Sequence, residues 1–205
     1  LKTLSGQYVP PAHIERMIEN HHLAGLEGES RHMTVLFSDI RGFTTISEGL
    51  KATKLKQMLN EFFTPITGII FEHNGTIDKY VGDMVMAFWN APLLDANHAE
   101  HAIDAALSML QKVEELKITF AAKGLPEINI GVGINTGFMN VGDMGSVYRR
   151  TYTVLGDAVN LGSRLESITK FYGVKLLVGE GTYDLAPQFL YRLVDKIIVK
   201  GKREP

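Results

Sequence analysis

The chain has 205 residues, of which 45% are hydrophobic and 21% are charged, so it can bury a core large enough to fold as one domain. It contains no cysteine, which excludes a thiol nucleophile, a thiolate zinc site and a disulfide scaffold, and which fits a cytoplasmic location. The formal charge of −2 argues against nucleic acid as a partner, and no stretch reaches the ~20 apolar residues of a membrane span.

Two parts of the chain differ in character. Residues 1–32 are predicted to be a connector with a short helix after Pro10-Pro11, and residues 33–205 are predicted to be one globular domain. The chain begins at Leu1 without a methionine and stops at Pro205. We therefore expect it to be a piece of a longer protein that is truncated at its C-terminal end.

Hydrophobic periodicity predicts an alternation of strands and helices. The predicted helices cover residues 51–73 (kinked at Pro65), 96–122 and 157–172. The predicted strands cover residues 33–39, 76–81, 84–89, 128–135, 138–141, 152–155, 174–178 and 193–199. This order predicts an α+β sheet with helices on one face.

Two aspartates stand where predicted strands end. Asp39 closes the first strand, and Asp83 lies in the tight turn of the hairpin 76–89. If the strands are neighbours, these carboxylates can meet and hold hard divalent cations through oxygen ligands. Either aspartate alone is more often a turn or cap residue, so both interpretations stay open at this point.

Three further polar positions have two interpretations each. Asn160 and Arg164 are four apart on a predicted helix, so they share one face and could orient a sugar and neutralise a phosphate. A solvated helix face explains that spacing equally well. Lys79 is expected to share a strand face with the apolar Ile77 and Val81, where a lysine either reaches water or has a partner.

Other nucleotide and metal templates fail. The chain has no Gly-x4-Gly-Lys-Ser/Thr loop, and its glycine-rich segment 131–137 does not match the dinucleotide fingerprint. His98 and His101 lie three apart on a predicted helix without an identifiable further ligand set, which favours a solvent-facing pair over zinc.

Several motifs occur together and in a fixed order. The chain resembles the catalytic domain of class III nucleotidyl cyclases, the adenylyl and guanylyl cyclases, over residues 34–202. The segments that carry the resemblance are 37–44, 75–83, 131–137, 152–166 and 199–202. The resemblance implies a ferredoxin-like βαββαβ core sheet and a homodimer with head-to-tail domains.

The resemblance also implies a role for each matching residue. Asp39, Asp83 and the backbone carbonyl of Ile40 would hold two Mg²⁺ or Mn²⁺ ions at each active site. Phe43, Thr44 and Lys200 would bind the polyphosphate. Lys79 and Thr153 would bind the base. Asn160 would orient the ribose, and Arg164 would stabilise charge at the α-phosphate.

The resemblance favours ATP as substrate, because lysine at position 79 is typical of adenine recognition. Thr153 departs from the aspartate of many animal enzymes and resembles a bacterial subgroup. The implied reaction is in-line attack of the ribose 3′-hydroxyl on the α-phosphate with two metal ions, which yields cyclic AMP and pyrophosphate. No side chain is assigned as a general base.

Two other functions remain as alternatives, a guanylyl cyclase and an inactive cyclase-like module that only dimerises or binds nucleotide. The connector resembles those that join such domains to an upstream sensory region. We accordingly expect a cytoplasmic catalytic domain that, in the full-length protein, is joined to a sensory region of a kind that is often anchored in the membrane.

Overall fold

The structure, a computed structural model, describes residues 28–196, which form six strands and five helices. The strands are β1 (Glu29–Ile40), β2 (Thr76–Val81), β3 (Met84–Trp89), β4 (Ile130–Gly145), β5 (Arg150–Leu155) and β6 (Leu176–Val178). The helices are α1 (Phe43–Glu48), α2 (Ala52–Glu72), α3 (His98–Ala122), α4 (Asp157–Tyr172) and α5 (Glu180–Leu185).

One sheet contains all six strands. Its order is β2-β3-β1-β4-β5, and β6 pairs in parallel with the first half of β4. β1 is central and antiparallel to both β3 and β4. The sequence β1-α2-β2-β3-α3-β4 is the βαββαβ core, and it confirms the predicted α+β fold.

Helices α2 and α3 cover one face of the sheet, as predicted. The apolar spacing of α2 directs Met58, Phe62 and Ile66 into this core, where they meet Leu36 of β1. Fully burying a side chain such as that of Phe62 stabilises the fold by about 1.5 to 3 kcal/mol. This layer therefore holds β1 and its C-terminal end rigidly in place.

Helix α4 corrects the prediction that the helices lie on one face, because it packs on the opposite side of the sheet. There it covers Val35 and Phe37, which alternate with Leu36 along β1. A Cβ at Gly162 would lie 2.8 Å from Val35 Cγ1, and one at Gly133 would lie 2.2 Å from the backbone nitrogen of Glu166. Glycines on both surfaces thus allow the helix to approach the strands closely.

Two strand predictions differ from the structure. Residues 130–145 form the single strand β4, whereas the sequence predicts two strands, 128–135 and 138–141, with a break at Gly137. A Cβ at Gly137 would lie 2.9 Å from Ala158 Cβ, so this glycine makes room for α4 and does not end a strand. The predicted strand 193–199 is wrong over its described part, since residues 193–196 are not in a strand.

The connector and the chain end are only partly described. β1 begins at Glu29 and pairs there with Val141, so the last residues of the predicted connector belong to the sheet. The predicted helix after Pro10-Pro11 and the predicted phosphate ligand Lys200 lie outside the described residues. Among residues 28–196, no helix is both long and apolar enough to cross a membrane.

Candidate active site

The sheet register brings the two predicted metal aspartates together. β1 pairs antiparallel with β3 so that Ser38 lies opposite Val85, and continuing this register sets Ile40 opposite Asp83. Asp83 stands in the turn between β2 and β3, where Gly82 has a φ of +61° that favours glycine. A buried strand and a tight hairpin therefore position the two carboxylates.

A single backbone group joins the carboxylates. The N–H of Ile40 donates to Asp39 Oδ1 at 3.1 Å and to Asp83 Oδ2 at 2.8 Å. Burial, the hydrogen bond and charge of Asp83, and the charge of Glu166 raise the pKa of Asp39 to about 7. The negative charge at this point is therefore poorly compensated, which suits it to a divalent cation.

The donor set fits a hard cation that also binds substrate. Among the described residues, no group of three or more His, Cys, Asp or Glu side chains could hold a metal ion. Two carboxylates thus leave most coordination positions to water, backbone carbonyls and phosphate oxygens, as Mg²⁺ prefers. Ile40, whose carbonyl is a predicted ligand, is 4% exposed; it follows Asp39 in β1 and lies opposite Asp83 when the register is continued.

The loop after Asp39 is fastened to α4 by Arg41, which the sequence analysis did not assign. Arg41 Nη2 donates to Thr169 Oγ1 at 2.7 Å and to the carbonyl of Val174 at 3.0 Å. α1 then begins at the predicted phosphate ligands Phe43, which packs against the core, and Thr44, which is exposed. The arginine fixes this short turn relative to the far end of α4.

A β-bulge changes the orientation of Lys79. Ile77 pairs with Ala87 but Lys79 pairs with Met86, so one extra residue, Asp78, is inserted between them. Ala87 and Met86 belong to opposite faces of the sheet. The expectation that Lys79 shares a face with Ile77 is therefore wrong, because the bulge reverses the alternation after Ile77.

The bulge brings the two predicted base-binding residues to one buried carboxylate. Thr153 Oγ1 donates to Asp78 Oδ2 at 2.5 Å, and Lys79 Nζ lies 3.7 Å from Asp78 Oδ1. Burial raises the pKa of Asp78, while the hydrogen bond from Thr153 and the charge of Lys79 oppose that shift. Asp78 has no motif of its own, so only the bulge geometry identifies it.

Asn160 and Arg164 lie on one face of α4, as their spacing predicts. The opposite face of the helix packs on the sheet through Val159, Gly162 and Thr169. Asn160 is exposed and Arg164 is half-buried. Within residues 28–196, neither of these two side chains makes a hydrogen bond or an ion pair. No such contact therefore connects them to the carboxylate pair or to Lys79.

The comparisons with known proteins agree with this geometry. The family described as Adenylate and Guanylate cyclase catalytic domain matches residues 27–205. Adenylate cyclase 1 of Rhizobium meliloti (strain 1021) is 41% identical over 170 residues, or 83% of this chain and 26% of that protein. The chain belongs to the adenylate and guanylate cyclase catalytic domain family, which confirms the predicted resemblance.

Solved structures of both activities match the fold. Adenylyl cyclase CyaB from P. aeruginosa has a TM-score of 0.81 and 37% identity, and the match covers 87% of this chain and 92% of that chain. Guanylyl cyclase Cya2 has a TM-score of 0.77 and 32% identity, with coverage of 87% and 90%. The backbone therefore does not distinguish an ATP site from a GTP site, and individual side chains must do so.

The chain spans about a quarter of the length of the Rhizobium relative. Domains of this family generally use divalent metal ions.

Proposed function

We propose that this chain is the catalytic domain of an adenylyl cyclase that converts ATP to 3′,5′-cyclic AMP and pyrophosphate. The observation that carries the choice of ATP is the gathering of Lys79 and Thr153 around one buried carboxylate. An ammonium group only donates hydrogen bonds, so Lys79 suits an unprotonated ring nitrogen such as N1 of adenine. In guanine the same position carries a proton and would be repelled.

The carboxylate pair supports the rest of the reaction. Asp39 and Asp83 would hold two Mg²⁺ or Mn²⁺ ions with help from the carbonyl of Ile40. When bound, such ions lower the pKa of the attacking 3′-hydroxyl and neutralise charge on the triphosphate. Phe43 and Thr44, at the start of α1, and Lys200 would bind the outer phosphates.

The side chains of α4 act on the transition state. Asn160 would orient the ribose so that its 3′-oxygen is in line with the α-phosphorus and the leaving pyrophosphate. Arg164 would donate to the oxygens of the α-phosphate as their charge redistributes. Both side chains are without partners in the described part of the chain, so they are available to a ligand.

The active sites would form between two chains in a head-to-tail homodimer. In each site, one chain would supply the carboxylate pair, and the other would supply Lys79, Thr153, Asn160 and Arg164. Exposed apolar side chains on β4, β5 and the loop that joins them support a contact surface there; they are Phe138, Val147, Tyr148 and Leu155. A sensory region elsewhere in a longer protein would control the approach of the two domains.

Product analysis tests this function. The chain is incubated with ATP or with GTP in the presence of Mn²⁺, and the products are separated and identified. We expect cyclic AMP and pyrophosphate from ATP, and much less cyclic GMP from GTP. Preferential formation of cyclic GMP would support the guanylyl cyclase alternative, and no product from a folded dimer would support the inactive module.

A further inference from the structure

The carboxylate of Asp78 is buried in an unusual way. The residue is 2% exposed, and Oδ2 accepts the hydrogen bond from Thr153. Oδ1 is buried without a hydrogen-bond partner, and the Lys79 ammonium group lies 3.7 Å from it. Burying a carboxylate with an unfilled acceptor is unfavourable for folding, so its presence calls for an explanation outside stability.

The hydrogen bond to Asp78 decides what Thr153 can offer to a ligand. A threonine hydroxyl has one proton and two acceptor lone pairs, and it normally rotates to suit its partner. An ionised carboxylate only accepts, so the proton of Thr153 is committed to Asp78. The hydroxyl oxygen can then only accept a hydrogen bond from a base.

This polarity distinguishes the two purines. The 6-amino group of adenine donates, whereas O6 of guanine accepts. An accepting oxygen at Thr153 therefore pairs with adenine and opposes guanine. A free hydroxyl would rotate and donate to O6, and the discrimination at this position would be lost.

We propose that Asp78 is a specificity-determining positioning residue, which holds the Thr153 hydroxyl as an acceptor and thereby excludes 6-oxopurine nucleotides from the base site. This inference rests on the proposed role of Lys79 and Thr153 in base recognition. Asp78 does not itself contact the base. It acts through Thr153, and its charge also holds the ammonium group of Lys79 beside the site.

The test measures kcat/KM for ATP and for GTP in the full chain and in single variants. Asp78→Ala is expected to lower the ATP-to-GTP ratio of kcat/KM by about tenfold, because the Thr153 hydroxyl could then rotate and donate to guanine as well as accept from adenine. Asp143→Ala, at a half-buried aspartate that pairs opposite Tyr152 on the β4–β5 hairpin, is the control and should leave the ratio unchanged. An equal loss for both nucleotides in Asp78→Ala would mean a structural role only and would overturn the proposal.

A double variant tests whether Asp78 acts through the hydroxyl. In a Thr153→Val background there is no proton to orient, so adding Asp78→Ala should not change the ratio further. A further tenfold fall would overturn the proposed route. Thr153→Ser keeps the hydroxyl and should keep most of the discrimination.

Two outcomes separate this inference from the proposed function. If Thr153→Val leaves the ratio unchanged, Thr153 does not read the base, and the base-site assignment fails with the inference. If Thr153→Val lowers the ratio but Asp78→Ala does not, only the role of Asp78 fails.

Should Asp78→Ala not fold, Asp78→Asn preserves the volume and should lower the ratio less but in the same direction, because an amide can also donate. An unchanged ratio there contradicts the proposal.

Discussion

The aspartates around the turn of the β2–β3 hairpin and the aspartate inside β2 have contrasting environments. Asp39 and Asp83 are half-buried, face each other and share a single N–H donor from Ile40. Asp78 is almost completely buried, and its neighbours are a hydroxyl donor and an ammonium group of its own chain. The first two carboxylates add to each other's negative charge, whereas the carboxylate of Asp78 stands alone with one hydroxyl donor on Oδ2 and one cation near Oδ1.

This difference indicates what each carboxylate is for. Two carboxylates that repel each other at an accessible point destabilise the fold unless a cation lies between them. Such a pair is therefore suited to bind a cation. The single buried carboxylate of Asp78 already has an ammonium group beside it, and it can fix the direction of the hydroxyl proton that Thr153 donates. In the proposed function, the same residue type would thus bind metal in one place and set hydrogen-bond polarity in the other.

The largest expected effect follows from removing a metal carboxylate. Asp39→Ala or Asp83→Ala should lower kcat by at least about a thousandfold, because charge at the attacking and leaving oxygens loses its counter-ion. The melting temperature should stay the same or rise, since a repulsive pair is removed. Glu48→Ala, at the exposed end of α1, is the control and should retain activity. Near-normal turnover in either aspartate variant at low Mn²⁺ would remove the metal assignment.

The shared-site arrangement can be tested by mixing inactive variants. Homodimers of Asp39→Ala and of Arg164→Ala each have two broken sites, whereas a mixed dimer has one intact site. Mixing them should restore up to about a quarter of wild-type activity when subunits exchange randomly and the sites act independently. Mixed dimers that are verified by tagging and stay inactive would show that Asp39 and Arg164 do not serve one site from opposite chains.

Changing the base-site donors should change substrate preference more moderately. Lys79→Glu combined with Thr153→Cys replaces a donor with an acceptor at the ring-nitrogen position, and should lower the ATP-to-GTP ratio of kcat/KM by about ten- to a hundredfold. The metal-site variants above should lower turnover of both nucleotides together. A folded, active double variant with an unchanged ratio would mean that the base is read by other residues.

The sequence predicted the regular elements better than their irregularities. β2, β3 and α4 have the predicted bounds. Glycines mark both ends of β2 and of α4, and Gly82 also marks the start of β3. Periodicity could not reveal the bulge at Asp78, since an inserted residue leaves no local mark in the chain. The direction of Lys79 was therefore predicted wrongly, and Asp78 was missed.

Glycines caused a second type of error for a related reason. Gly137 lies between the predicted strands 128–135 and 138–141, but in the structure it continues β4 and, like Gly133, lets α4 approach that strand. A sequence shows that a side chain is absent and does not show which neighbour occupies the space. Arg41 was missed similarly, because its partners Thr169 and Val174 are distant in the chain and meet it only in the fold.

The smallest expected effect concerns the stability cost of Asp78. Burial raises the pKa of Asp78 above its usual value, so the folded chain holds that proton more tightly than the unfolded chain does. The contribution of this group to the free energy of unfolding must then fall as pH rises from the usual aspartate range through the raised pKa. Asp78→Asn has no such titration, so its stability relative to wild type should increase with pH and then level off.

Urea unfolding of both proteins from about pH 4 to about pH 8 measures this difference, in which the shared contributions of Asp39 and Glu166 cancel. Thr153→Val removes a hydrogen bond that lowers the pKa of Asp78, and should therefore shift the levelling to higher pH. A difference between Asp78→Asn and wild type that does not vary with pH would show that this carboxyl titrates alike in the folded and unfolded chains, and would contradict a stability cost of burying it.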